Sequence, residues 1–273
     1  PTNWIFLDEA GRADLADMDK PLRAANGPQR DPDIAFAAGS FGMPSSAPAH
    51  WEPDIAAAKA ALGPGQALIV SIVGTAGPDS REEDILADFA DLAGRVRAAG
   101  ADAVEANLSC PNVGAREGEV FRDPGLSGRI ARAVSDNAGG APVLLKVGHI
   151  PDEAPLRALL RAVAGAADAV TMINAPSRRI LAADGGPAFG PGRERAGVMG
   201  DAIFPLALEQ IRRAVAIDQA DGLGLSFLAV GGVNAAERAR AMLDTGAAAV
   251  QCASAAVWNP FLASEIKRDA PDV

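Results

Sequence analysis

What this chain lacks narrows the field first. It has no cluster of basic residues, and its net charge of −10 with a pI near 4.7 excludes the positive face that a nucleic-acid-binding surface needs. Cysteine is scarce: Cys110 and Cys252 are the two present, and they form no metal-ligand spacing. Two free thiols suit a reducing, cytoplasmic setting rather than a disulfide framework. No apolar run is long enough to span a bilayer and no N-terminal signal pattern is visible, so no membrane association is expected. Neither GxGxxG nor GxxxxGK[ST] occurs, which removes the usual sequence marks of a Rossmann turn or a P-loop.

What is present is a rhythm. At 273 residues and 49% hydrophobic content the chain can bury a large core, and its length suits one domain over 1–273. Near-continuous apolar runs predict strands at Ala67–Val73, Ala101–Leu108, Pro142–Val147, Ala167–Asn174, Ser226–Val230 and Ala248–Ala253, the signature of a parallel sheet buried on both faces. Amphipathic runs between them predict helices at Ile85–Ala99, Gly125–Asn137, Ala154–Ala164, Ile203–Ala216 and Ala235–Thr245. Repeated βα units mean a parallel α/β fold, a barrel or a doubly wound sheet.

Polar residues at the C-terminal ends of these strands favour the (β/α)8 TIM barrel. They are Asn107, Lys146, Asn174, the pair Gly231-Gly232 and the pair Ala253-Ser254, and this is where barrel loops build sites. Adding Trp4–Leu7 gives seven strands where closure needs eight. The chain opens on Pro1, and the count predicts an absent first strand, or an absent piece between first and second. Residues 11–50, rich in Pro, Gly, Asp and Ala, read as an irregular segment near the site.

The richest stretch is DAVEANLSCPN over residues 102–112, where a buried strand opens onto a thiol between two carboxamides. A modest shift from the usual thiol pKa, about 8.5, makes Cys110 a usable acid or base. Buried cysteine is also commonly inert packing. Asn107, Asn112 and Asn174 can each grip an amide or imide edge, although a loop asparagine can equally close a turn. Lys146 interrupts the apolar strand VLLKV; such a lysine needs an anion, an electron-rich ligand or a carboxylate such as Glu105. Glycines and small residues after the last two strands match the phosphate cup of many barrels.

As a set, EANLSCPN at 105–112, LLKV at 144–147, MIN at 172–174, AGVMGDAIFPLAL at 196–208, AVGGV at 229–233 and GAAAVQCASA at 246–255 resemble the dihydroorotate dehydrogenase family. The similarity runs from about Gly39 to Lys267 and includes the pyrimidine-reducing domain of dihydropyrimidine dehydrogenase. It implies an FMN-containing barrel that oxidises dihydroorotate or a related dihydropyrimidine or cyclic amide. By that resemblance Cys110 is the proton acceptor at the pyrimidine C5, and Asn107, Asn112, Asn174, Ser40, Gly42 and Met43 bind substrate. Asn107, Lys146, Ile173, Gly200, Gly231, Gly232, Ala253 and Ser254 would bind FMN. A homodimer and an electron-transfer partner subunit are further family expectations.

Two departures bear on the substrate. The segment GSFGMP places Gly39 where the family has asparagine, and Ala175 follows Asn174 where it has Ser or Thr. Removing polar partners from a hydrogen-bonding site weakens discrimination, so the substrate stays open. Other readings of the same scaffold are a phosphate-binding lyase or isomerase and a non-redox relative.

Overall fold

The computed structural model describes residues 3–25, 36–42, 45–75, 80–109 and 119–271. Its centre is a curled parallel sheet of strands β4 (Ile69–Ile72), β5 (Ala103–Asn107), β6 (Val143–Val147), β7 (Ala169–Met172), β10 (Ser226–Val230) and β11 (Ala249–Gln251). The spatial order is β11-β10-β7-β6-β5-β4. All six apolar runs are strands, and the α/β barrel class holds. Among the described residues β4 and β11 are the edges of this sheet.

Alternation sorts the strand residues between two faces. The outer face, with Val104, Ala106, Leu145, Val147, Val170, Met172, Phe227 and Ala229, joins the main core. Helices α1 (Pro48–Ala61), α2 (Glu82–Ala99), α3 (Pro124–Asn137), α4 (Glu153–Val163), α5 (Phe204–Asp221) and α6 (Ala236–Leu243) cover it, whereas the short α7 (Ser254–Trp258) sets Trp258 against Trp4 and Phe6; α8 (Leu262–Asp269) adds Ile266 to the core. Leu156, Leu159, Leu160 and Val163 of α4 recur at helical spacing and are buried, each such side chain contributing about 1.5–3 kcal/mol relative to exposure. The inner face carries a small apolar floor of Ala103, Leu144 and Ala169, with Leu228 packed on it.

The N-terminal strand goes elsewhere. β1 (Trp4–Phe6) pairs antiparallel with β3 (Phe36–Gly39), not with the parallel sheet, so it is not the barrel's seventh strand. A second sheet runs β1-β3-β9-β8-β2, with β2 (Leu22–Arg23), β8 (Ser177–Leu181) and β9 (Arg195–Gly200). Thus the described residues of 11–50 include two strands and the start of α1 as well as loop. Its order has a physical cause in Arg178, which is fully buried. The Arg178 guanidinium donates to the Leu15 carbonyl at 2.7 Å, to the Asp14 carbonyl at 3.2 Å and to the Lys20 carbonyl. Leu7, Leu15, Leu22, Phe36, Ile180 and Val198 pack around it as a separate core. Strand β9 ends at Gly200, which leads the chain from this small sheet into α5.

Candidate active site

Strand register brings the polar residues together at one end of the parallel sheet. Asn107 is opposite Lys146, and Lys146 is opposite Thr171, so all three share the inner face. One layer below, Glu105 is 5% exposed and accepts hydrogen bonds from Ser71 Oγ at 3.0 Å and Thr171 Oγ1 at 2.7 Å. Glu105 is therefore held by hydroxyls and does not serve as the ion-pair partner of Lys146. Among the described residues the Lys146 ammonium has no hydrogen-bond or ion-pair partner, which leaves it available at the rim.

The asparagines divide their functional groups. Asn107 Oδ1 accepts from the Ser109 amide at 3.1 Å, closing an Asx-type turn, while its Nδ2 has no partner among the described residues. Asn174 Nδ2 donates to the Ser109 carbonyl, and its Oδ1 accepts from the Ala175 amide at 2.9 Å. Asn174 thus anchors the end of the segment leading into Cys110. Cys110 and Asn112 lie outside the described residues, as does Met43.

The glycine pair sits at the next corner. β10 and β11 are parallel neighbours, so Gly231-Gly232 and Ala253-Ser254 extend from adjacent strand ends. Gly231 and Gly232 have φ of 134° and 71°. A Cβ on Gly232 would lie 2.7 Å from Phe204 Cβ and 2.9 Å from the Asp201 carbonyl oxygen. One on Gly231 would lie 2.8 Å from Ala207 Cβ and 3.6 Å from Ile173 Cγ1. Only glycine allows the loop after β10 to approach the Gly200–Phe204 turn this closely. Buried Ile173 lies beside it, its amide donating to the Val230 carbonyl at 2.8 Å.

The remaining described positions, Ser40 and Gly42, follow the end of β3. Ser40 Oγ accepts from Arg193 Nε at 3.2 Å, and its carbonyl accepts from Arg193 Nη2 at 2.5 Å. Gly42, at φ 71°, follows exposed Phe41. A Cβ on Gly39 would come within 2.5 Å of Met199 Cε and 2.7 Å of Phe41 Cε2, so these side chains occupy the room a larger residue needs.

Several residues that shape the rim escaped the sequence reading. Gly148 follows β6 because a Cβ there would meet the Phe121 ring at 2.6 Å and Ser109 Oγ at 2.9 Å. Fully buried Gln210 braces the same loop, accepting from the Ile150 amide at 2.6 Å and donating to the Gly148 carbonyl at 3.0 Å. Its signal was a polar residue on an otherwise apolar face of α5, beside Ala207, Ile211 and Ala214. His149 is buried with Nδ1 unpartnered; burial, then the charges of Arg213 and Arg122, lowers its pKa to about 4.

Residues 56–273 match the family model described as dihydroorotate dehydrogenase. A dihydroorotate dehydrogenase of Dictyostelium discoideum is 33% identical, over 96% of this chain and 72% of that protein. The catalytic subunit of a dihydroorotate dehydrogenase B (NAD(+)) of Solidesulfovibrio magneticus is 34% identical, over 68% of this chain and 59% of that protein. A dihydroorotate dehydrogenase A (fumarate) of Limosilactobacillus reuteri is 30% identical, over 74% of this chain and 62% of that protein. The chain therefore spans about three-fifths of the length of these two bacterial relatives. The crystal structure of an Eimeria tenella dihydroorotate dehydrogenase in complex with ferulenol shares the fold, with a TM-score of 0.70 at 16% identity, covering 92% of this chain and 71% of that one. By its parallel barrel sheet, its motifs and these matches, the chain belongs to the dihydroorotate dehydrogenase family.

Proposed function

We propose that the C-terminal rim of the parallel sheet is an FMN site, at which dihydroorotate or a related dihydropyrimidine is oxidised. The observation that carries this reading is Lys146, an ammonium without a partner among the described residues, in register with the free amide donors of Asn107. A planar, electron-rich ring satisfies both. The adjacent glycine and small-residue loops after β10 and β11 suit a phosphate held by backbone N–H groups, so the donor set fits FMN. When bound, FMN supplies the hydride-accepting chemistry.

In this reading the chain does the rest. Asn107 contacts both ring systems, and Asn112 and Asn174 hold the pyrimidine edge. Lys146 would hold the flavin edge with its ammonium, a positive charge that would favour an electron-rich ring there. Ile173 packs near the ring, while Gly200, Gly231, Gly232, Ala253 and Ser254 receive the phosphate tail. Cys110 removes the C5 proton, and Ser40, Gly42 and Met43 bind the substrate. Family membership does not favour a lyase, an isomerase or a non-redox scaffold.

No described helix is long and apolar enough to cross a membrane. A cytoplasmic homodimer completes the proposal; passing electrons to fumarate or through a partner subunit follows the words "fumarate" and "catalytic subunit" in the two bacterial relatives' names. The test is anaerobic reduction of the FMN-loaded protein against dihydroorotate, dihydrouracil and related lactams. Bleaching by dihydroorotate or by a dihydropyrimidine supports the reading. A flavin that none of them reduces contradicts it.

A further inference from the structure

The loop after β10 and the turn after β9 are joined by one side chain. Arg238, in the first turn of α6, directs Nη1 to the Gly232 carbonyl at 2.7 Å and to the Asp201 carbonyl at 3.1 Å. Its Nη2 lies 3.5 Å from Asp201 Oδ2, and the guanidinium covers the Phe204 ring at 4.9 Å from the centroid. The other Asp201 oxygen takes Arg12 Nη1 at 2.8 Å, reaching in from the N-terminal segment. The Asp201 side chain is only 9% exposed, so these contacts are shielded from water and more effective than surface pairs. Arg12 is itself paired with Glu9 at 2.7 Å, so among the described residues two arginines and two carboxylates interlock here.

The two backbone carbonyls that Arg238 holds belong to Gly232, one of the proposed phosphate-binding glycines, and to Asp201, the residue next to another, Gly200. Tying both carbonyls to one rigid, planar fork fixes the mutual orientation of the two loops, and with it the directions of their N–H groups. We infer that Arg238, fixed by Asp201, is a positioning residue for the phosphate end of the cofactor. It acts through the backbone of Gly232 and Asp201 and makes no direct contact with the ring. The inference rests on the FMN reading above and extends it to Arg238, outside the motifs of the resemblance, and to Asp201, to which the resemblance gives no role.

The test compares FMN with riboflavin, which has the same ring without the phosphate, by quenching of flavin fluorescence on binding to the full chain. For Arg238→Ala the preference for FMN over riboflavin is expected to fall about tenfold, as when charge-assisted hydrogen bonds of one residue are lost. Riboflavin affinity should hardly change. Asp201→Asn keeps the side-chain size while removing the charge that fixes Arg238, and should move the preference the same way by a smaller factor. It carries the test should Arg238→Ala not fold. A merely structural role would lower both affinities in proportion and leave the preference unchanged, which overturns the inference. Wild-type protein that binds no FMN would instead overturn the functional reading beneath it.

Discussion

Replacing Gly232 by alanine tests the packing that builds the proposed cup. Gly232 has φ 71°, a conformation that costs an L side chain about 1–2 kcal/mol. Its new Cβ would also stand 2.7 Å from Phe204 Cβ, 2.8 Å from Phe204 N and 2.9 Å from the Asp201 carbonyl oxygen. Two of those atoms are backbone and cannot swing aside, so overpacking adds about 1–3 kcal/mol. Gly185, at φ 84°, has nothing within 4 Å of its notional Cβ, so Gly185→Ala reports the backbone cost alone. In urea unfolding, Gly232→Ala should lose about 2–5 kcal/mol and Gly185→Ala about 1–2 kcal/mol. Thermal melts should rank them the same way, at about 2–4 °C per kcal/mol for a chain near this size. Equal losses in the two variants would refute the close approach of the β10 loop to the Asp201–Phe204 turn.

His149 gives the chain a pH dependence of defined sign. Its folded pKa is near 4 against 6.5 unfolded, so between these values the unfolded chain binds the extra proton and stability falls as the pH is lowered. Wild type should lose about 2 kcal/mol more than His149→Asn between pH 7 and pH 5, read by urea unfolding, and parallel curves would refute it. Thr171→Val removes a 2.7 Å donor from buried Glu105 and should cost about 1–3 kcal/mol of unfolding free energy; an unchanged midpoint would show that the hydroxyl does not hold the carboxylate. Cys110→Ser should bind FMN as wild type does, yet slow anaerobic flavin reduction by about 10²–10⁴-fold, whereas an unaltered rate removes Cys110 from proton transfer.

The parallel half of the molecule was legible because burial on both faces forces long apolar strands and amphipathic helices, as in VLLKV and in α4. The rim was legible for a related reason: a lysine or an asparagine at the end of such a strand stands out against its background. The small sheet was not. Its strands SRRIL and RAGVMG carry arginine or glycine in place of a continuous apolar run, and Arg178 is buried only because three distant carbonyls meet its guanidinium. Helix α1 has little amphipathic contrast and buries no residue fully, so Ala-rich propensity was its main local signal. Asn234 reads as a cap, yet the helix begins one residue later with Ala235 at the boundary. Arg238 carries no local mark of its role: Gly232 is six residues away, but Asp201 lies 37 residues off in the turn after β9, a meeting that no local pattern encodes.

The central claim is that the rim holding Asn107, Lys146, Gly231 and Gly232 binds a flavin. Its most direct measurement is titration of the purified chain with FMN, followed by fluorescence quenching and by absorbance of the protein after gel filtration. Stoichiometric, saturable uptake that leaves a yellow protein is the predicted result. A protein that emerges colourless and leaves FMN fluorescence unquenched would contradict the account.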